Sequence, residues 1–275
     1  MKKLISICAA LFVLIVVPIT ANGENSENVD IYIDGIYCEL ENRAFVSTGT
    51  TYVPLREFCE IIGSEVAVSW DGETRVIYVT YPPVTITIGI DNKYIVANDR
   101  FFYIDGGAII DGGTAYVPVR ALAKALSCSV HWDASGKTVS LFTDRAELIS
   151  GADFYDPDEV YWLSLIISSE AKGEPIEGKI AVGNVVLNRV DHPSYPGTIR
   201  EVILDTVGGH QFTPAATGSL YDEPTAESVA AAKLVLDGAS TAGRSLFFQY
   251  IGISTSWLDR NCDYTMTIGN HDFYE

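Results

Sequence analysis

The sequence predicts an α+β protein built from two unlike halves, and three observations carry that expectation. A strand-rich segment occurs twice in the first half. After about Asp156 the apolar spacing becomes helical, and strand character returns only in the last thirty residues. The 275-residue chain is 48% hydrophobic and 20% charged, too apolar and too weakly charged for a disordered polymer. Its length suits one large domain or two ordinary ones.

At the N-terminus, Lys2 and Lys3 precede an apolar run from Leu4 to Val17, then Pro18 and the small stretch Thr20-Ala21-Asn22-Gly23. That order of positive, apolar and small is the layout of a secretory signal peptide, expected over residues 1–23. The run is shorter than the ~20 residues that span a bilayer, so cleavage and export are expected, with no stable membrane insertion afterwards. Cys8 leaves with this leader, and Cys38, Cys59, Cys128 and Cys262 remain. Four cysteines allow three pairings, among which sequence does not choose. No Cys-x-x-Cys occurs, which disfavours a zinc ribbon, and Cys59 sits in an apolar stretch as a small buried hydrophobe.

Eighteen basic residues stand against 36 acidic ones, a formal charge of −18. Nucleic-acid binding needs Lys and Arg to displace counterions, and a polybasic membrane patch needs them too. Both classes are excluded.

The first half is expected over residues 28–145. "TYVPLREFCEIIGSEVAVSWDGETRVIYVT", starting at Thr51, returns as "TAYVPVRALAKALSCSVHWDASGKTVSLFT", starting at Thr114. Tyr52, Pro54, Arg56 and Trp70 correspond to Tyr116, Pro118, Arg120 and Trp132. A repeat of this length is one supersecondary unit used twice. In each copy proline holds the Tyr-Val-Pro segment extended. A short helix follows, over 56–62 and 120–126, and then a hairpin such as 66–70 with 75–80 about an Asp-Gly turn. The four repeated aromatics are expected in the core, with a carbohydrate platform as the alternative.

A linker is expected over 144–156 and the second half over 152–275. Asp156, Pro157 and Glu159 form a helix start, and Leu163, Ile166 and Ile167 give that helix an apolar face to about Ala171. Gly173 and Pro175 stop it. A second helix is predicted over 177–190, a short third after Thr198 with Glu201, and a fourth capped by Thr225 and ending at Gly238. In that fourth helix "KLVLDG" reads as a C-terminus and nothing more. Strands are predicted over 246–251 and 267–274.

The segment "SSEAKGEPIEGKIAVGNVVLNRV", 168–190, is the most informative for chemistry. Glu170 falls at the C-terminal end of an apolar helix, where the helix dipole disfavours a further negative charge. Glu174, one turn on, adds like-charge repulsion. A carboxylic acid kept protonated near neutral pH can protonate a glycosidic oxygen, whereas an ordinary surface glutamate is the alternative.

Residues 152–275 resemble the catalytic domain of the spore cortex-lytic enzymes and related cell wall hydrolases. The matching segments are "SEAKGEP", "AVGNVVLNRV", "HQFTPAATG", "PTAESVAAAKLVLDG" and "IGNHDFY", in that order. The resemblance implies a lysozyme-like, mainly helical α+β fold acting on peptidoglycan glycan strands, with Glu170 as the catalytic acid and no cofactor. It favours a one-carboxylate lytic transglycosylase, with simple hydrolysis open, and suggests spore cortex lysis in germination and a place in the wall or spore envelope. The first half is similar to the copper amine oxidase N-terminal-like, or stalk, domain of exported bacterial proteins. That implies antiparallel strands around a helix and a spacer or wall-contact role, but not copper, because His131 is its only histidine.

Six further residues are candidates to bind or support. Glu174 reads as a hydrogen-bonding support. Gln211 and Phe212 can hold an N-acetyl sugar, with core packing of the ring as the alternative. Asn270 and His271 can contact glycan or brace Glu170. Tyr250, like Trp257, can stack on a sugar ring or pack in the core. The rival enzyme is an N-acetylmuramoyl-L-alanine amidase with zinc on His192, His210 or His271 beside Glu170, although no His-Glu-x-x-His helix occurs. A non-catalytic wall-binding protein is the remaining alternative.

Overall fold

The computed structural model describes residues 28–63, 65–143, 147–207, 211–252 and 257–275. The expected leader, Cys8 and His210 lie outside the described residues.

In the first half the elements are β1 (Asp30–Ile33), β2 (Ile36–Cys38), β3 (Phe45–Ser47), β4 (Thr50–Pro54), α1 (Leu55–Ile62), β5 (Ala67–Asp71), β6 (Val76–Tyr81), β7 (Val84–Gly89), β8 (Tyr94–Ala97), β9 (Arg100–Tyr103), β10 (Ile109–Asp111), β11 (Thr114–Pro118), α2 (Val119–Ala125), β12 (Ser129–Asp133) and β13 (Thr138–Phe142). The two Tyr-Val-Pro segments are β4 and β11, and they pair antiparallel with each other, Val53 opposite Val117. The duplication is thus a pseudo-symmetric pair of units joined at the centre of the sheet β10-β11-β4-β3. The flanking sheets are β12-β13-β1-β2 and β5-β6-β7-β8-β9. One pairing departs from the antiparallel expectation, since β1 runs parallel to β13. A parallel pair needs a long crossover, and the rest of the module supplies it.

Tyr52 and Tyr116 are core residues, with Phe45 packed at 5.5 and 5.1 Å from their ring centres. The tryptophans differ from the expectation. Trp132 is half-buried, and Trp70 is 46% exposed on an edge strand. Cys59 lies in the core, where burial pushes its thiol up to about 12. Cys38, Cys59 and Cys262 are free thiols, and Cys128 Sγ donates to Leu126 O at 3.4 Å.

The second half comprises α3 (Gly151–Phe154), α4 (Pro157–Ala171), α5 (Ile176–Val190), α6 (Ile199–Leu204), α7 (Thr213–Thr217), a 3-10 turn (Ser219–Tyr221), α8 (Ala226–Leu236), β14 (Phe247–Tyr250), α9 (Leu258–Asn261), β15 (Tyr264–Ile268) and β16 (His271–Tyr274). Asp156 caps α4 by accepting the N–H of Asp158 and Glu159, and Thr198 and Thr225 cap α6 and α8 through Glu201 and Ser228. Helices α4, α5 and α8 pack closely at Gly183, where a Cβ would sit 2.8 Å from Val235 and 3.1 Å from Ile167. The C-terminal strands form the antiparallel sheet β14-β16-β15.

Part of the expected linker is ordered as α3, and it joins the halves rather than separating them. Gly151 N–H donates to Asn98 O at 2.8 Å, and a Cβ there would collide with the Asp99 carbonyl. Arg100 on β9 makes a two-pronged pair with Asp237 at 2.7 and 2.6 Å. Tyr155 O–H donates to the same carboxylate at 2.7 Å and accepts the N–H of Phe101. Lys233 reaches Asp99 at 2.7 Å, and Lys93 pairs with Glu177. The "KLVLDG" segment is therefore more than a helix end: Lys233 and Asp237 are half of an interdomain clamp. Single-sequence spacing could not show this, because the partners lie more than 130 residues away.

Candidate active site

Glu170 occupies the last turn of α4, and its neighbours pin that turn in place. Ser169 Oγ donates to Leu165 O at 2.8 Å and to Ser219 O at 3.4 Å. Ser168 Oγ accepts the N–H of Thr225, which ties the same turn to the start of α8. The Glu170 side chain is half-buried and makes no hydrogen bond among the described residues. Burial raises its pKa to about 7. The cause differs from the sequence expectation, which invoked the helix dipole and Glu174. Loss of hydration alone accounts for the shift.

Glu174 is held in the opposite state. Its carboxylate accepts the Asn270 backbone N–H at 2.8 Å and the Asn270 side-chain N–H at 3.0 Å. His271 Nδ1 stands 3.9 Å away. Burial pushes the Glu174 carboxyl up, but the two Asn270 hydrogen bonds, His271 and Lys179 outweigh it and hold the pKa below the usual value. Lys179, itself buried, donates to the Glu174 main-chain oxygen and pairs with Glu227 at 2.9 Å. The Glu174 side chain is confined by two glycines. A Cβ at Gly178 would come within 3.0 Å of Glu174 Cβ, and one at Gly269 would overlap Glu174 Oε2. Gly269 also has a φ of +58°, which suits glycine. Two carboxyls four residues apart thus have pKa values driven in opposite directions, the pattern that separates an acid from a permanently charged group.

Asn270 therefore braces Glu174 rather than Glu170, and His271 stands beside Glu174 with no hydrogen bond from Nδ1 among the described residues. The ring of His271 meets Phe248 at 5.3 Å and Tyr250 at 6.0 Å, and Phe248 meets Phe212 at 6.3 Å. Phe212 is buried beneath the Arg189 guanidinium, 5.0 Å from its ring, and packs in the core. Gln211 donates from Nε2 to Val207 O at 3.0 Å, which engages its amide within its own loop. Tyr250 and Trp257 are 52% and 56% exposed, against the core packing held as their alternative. Sequence reasoning missed Lys179, Phe248 and Gly269. A lysine within an apolar helical run was the one available signal, for Lys179.

Residues 173–274 match the family model described as Cell Wall Hydrolase, and residues 32–141 that of the Copper amine oxidase N-terminal domain. The Cell Wall Hydrolase match begins three residues after Glu170 and includes Glu174. Spore cortex-lytic enzymes are among the chain's relatives. That of Oceanobacillus iheyensis is 29% identical over 119 residues, 43% of this chain and 42% of that protein. That of Bacillus subtilis is 27% identical over 121 residues, 44% of this chain and 39% of that protein. The chain thus spans about two-fifths of the length of the curated relatives it matches. Among solved structures it is similar to the catalytic domain of the germination-specific lytic transglycosylase SleB from Bacillus anthracis. There the identity is 28% and the TM-score 0.40, over 44% of this chain and 97% of that one.

Proposed function

We propose that this protein is an exported lytic transglycosylase that cleaves peptidoglycan glycan strands at N-acetylmuramic acid, with Glu170 as its acid and base. The division of labour would place catalysis in 152–275 and wall or protein contact in 28–145, after a leader over 1–23. The observation that carries the reading is a half-buried carboxyl with no hydrogen bond among the described residues and a pKa near 7, beside a Cell Wall Hydrolase match.

The protonated Glu170 donates its proton to the glycosidic oxygen as the bond from C1 to that oxygen breaks. The resulting carboxylate then accepts the proton of the muramic 6-hydroxyl while that oxygen attacks C1. The product is a 1,6-anhydro sugar, no water is consumed, and Glu170 ends protonated as it began. One carboxyl suffices, whereas a hydrolytic glycosidase uses two. Glu174 is tied to Asn270 and acts as a positioning residue. The similarity to spore cortex-lytic enzymes favours the cortex as substrate and the spore envelope as location.

The test compares the mature protein with its Glu170→Gln variant on purified cortex and on vegetative peptidoglycan, with fragments identified by mass spectrometry. Anhydro-muramic ends that vanish in the variant are expected. Reducing muramic ends would mean hydrolysis, free stem peptides would indicate an amidase, and no release would favour the binding-protein alternative.

A further inference from the structure

The N-terminal module builds one groove twice. In the first, Pro54, Arg56 and Trp70 face Ile110 and Thr114. In the second, Pro118, Arg120 and Trp132 face Val46 and Thr50. Each groove thus takes a helix start and a tryptophan from one repeat and a wall from the hairpin that leads into the other. The bordering strands stand at sheet edges, β5 and β10 in one groove, β12 and β3 in the other, and Asn28 bridges to Phe45 on the outer side of β3. The two are unequal in size: the first encloses about 840 Å³ and the second about 290 Å³.

Charge separates them further. Glu39, Glu41 and Glu60 line the first groove, all exposed, and their carboxylates have no hydrogen bond or ion pair among the described residues. Glu57 is already engaged, accepting the N–H of Glu41 at 2.7 Å and of Asn42 at 3.2 Å. Arg56, the one cation lining this groove among the described residues, donates to Val68 O at 3.2 Å. Between the glutamates lie three exposed apolar side chains, Ile61 at 41%, Trp70 at 46% and Ile110 at 46%.

We propose that this first groove docks an extended segment of a partner protein in which basic and apolar side chains alternate. A strand places every second side chain on one face. Its apolar face would cover Ile61, Trp70 and Ile110 while its ammonium groups meet the three free glutamates. Unpaired main-chain groups on the two strand edges can pair with such a segment, although Arg56 occupies one of the carbonyls. A glycan fits less well, because its hydroxyls would lie unpaired against two isoleucines.

The probe is a fluorescently labelled peptide of alternating lysine and valine, titrated with the full chain by polarisation. Binding is expected to weaken about tenfold or more in Trp70→Ala and in the double variant Glu41→Gln/Glu60→Gln. Trp132→Ala, in the second groove, should bind as the parent does, and Trp70→Phe should retain most of the affinity. A peptide of alternating glutamate and valine should not bind. No binding of the basic peptide at millimolar concentration overturns the proposal. So does unchanged binding in Trp70→Ala, or displacement of the peptide by an equal concentration of the uncharged N-acetylglucosamine hexamer, which would indicate a glycan site. These readouts measure binding and not cleavage, so they stand or fall independently of Glu170.

Discussion

A half-buried Glu170 with a pKa near 7 has consequences for stability as well as for reaction. Its folded pKa lies above its unfolded value, so its protonated form favours the fold at low pH, and that contribution is lost as pH rises from about 4.5 through 7. Glu170→Gln should therefore leave stability at pH 4 nearly unchanged. At pH 8 it should gain about 1–2 kcal/mol, after discounting for the side chain's partial exposure, as urea titrations at both pH values would show. The same substitution should lower turnover by about a thousandfold or more, since Gln supplies no acidic proton. With the parent protein, kcat/KM should fall as pH rises through about 7. Glu174 has the opposite sign. Its depressed pKa stabilises the fold above the usual carboxyl range, and that stabilisation is lost as pH falls through the depressed value. Glu174→Gln should cost about 1–3 kcal/mol at pH 7, because one amide oxygen cannot replace two charged acceptors. It should lower kcat more than it raises KM.

The turn between β15 and β16 places Asn270 against Glu174, and it does so through Gly269. Alanine there meets both a φ of +58° and the Glu174 oxygen. Gly252 offers a control, with a φ of +82° and no atom of the described residues within 4 Å of the missing Cβ. Gly252→Ala should cost only backbone strain, about 1 kcal/mol. Gly269→Ala should cost at least about 1 kcal/mol more by displacing a charged hydrogen bond, and should lower activity with it. Thermal unfolding of the two variants, beside their rates on peptidoglycan, checks the difference.

Across the whole molecule, the pair of Arg100 with Asp237 is nearly buried, with side-chain exposures of 12% and 7%, and Tyr155 completes it. Breaking one side leaves an uncompensated charge, so Asp237→Asn should destabilise by about 3–5 kcal/mol. If the clamp couples the halves, the calorimetric transition of the variant should split, with the two cores melting separately. A module fixed in this way holds its grooves at a set position relative to Glu170, unlike a spacer on a loose tether.

The sequence by itself determined the local elements and the duplication. Pro54 and Pro118 end the extended segments, Asp156, Thr198 and Thr225 begin helices, and periodicity marks α4 and α5, because these signals act over a few residues. It also drew attention to Glu170 and Glu174 by residue type and spacing. Only the tertiary structure decided that desolvation sets the Glu170 pKa, since burial depends on the whole chain. It also assigned Asn270 and His271 to Glu174, 96 residues away in the case of Asn270. The exposure of Trp70 and the clamp at Asp237 belong to the same class. Each arises from surfaces that meet, or fail to meet, after the elements have formed.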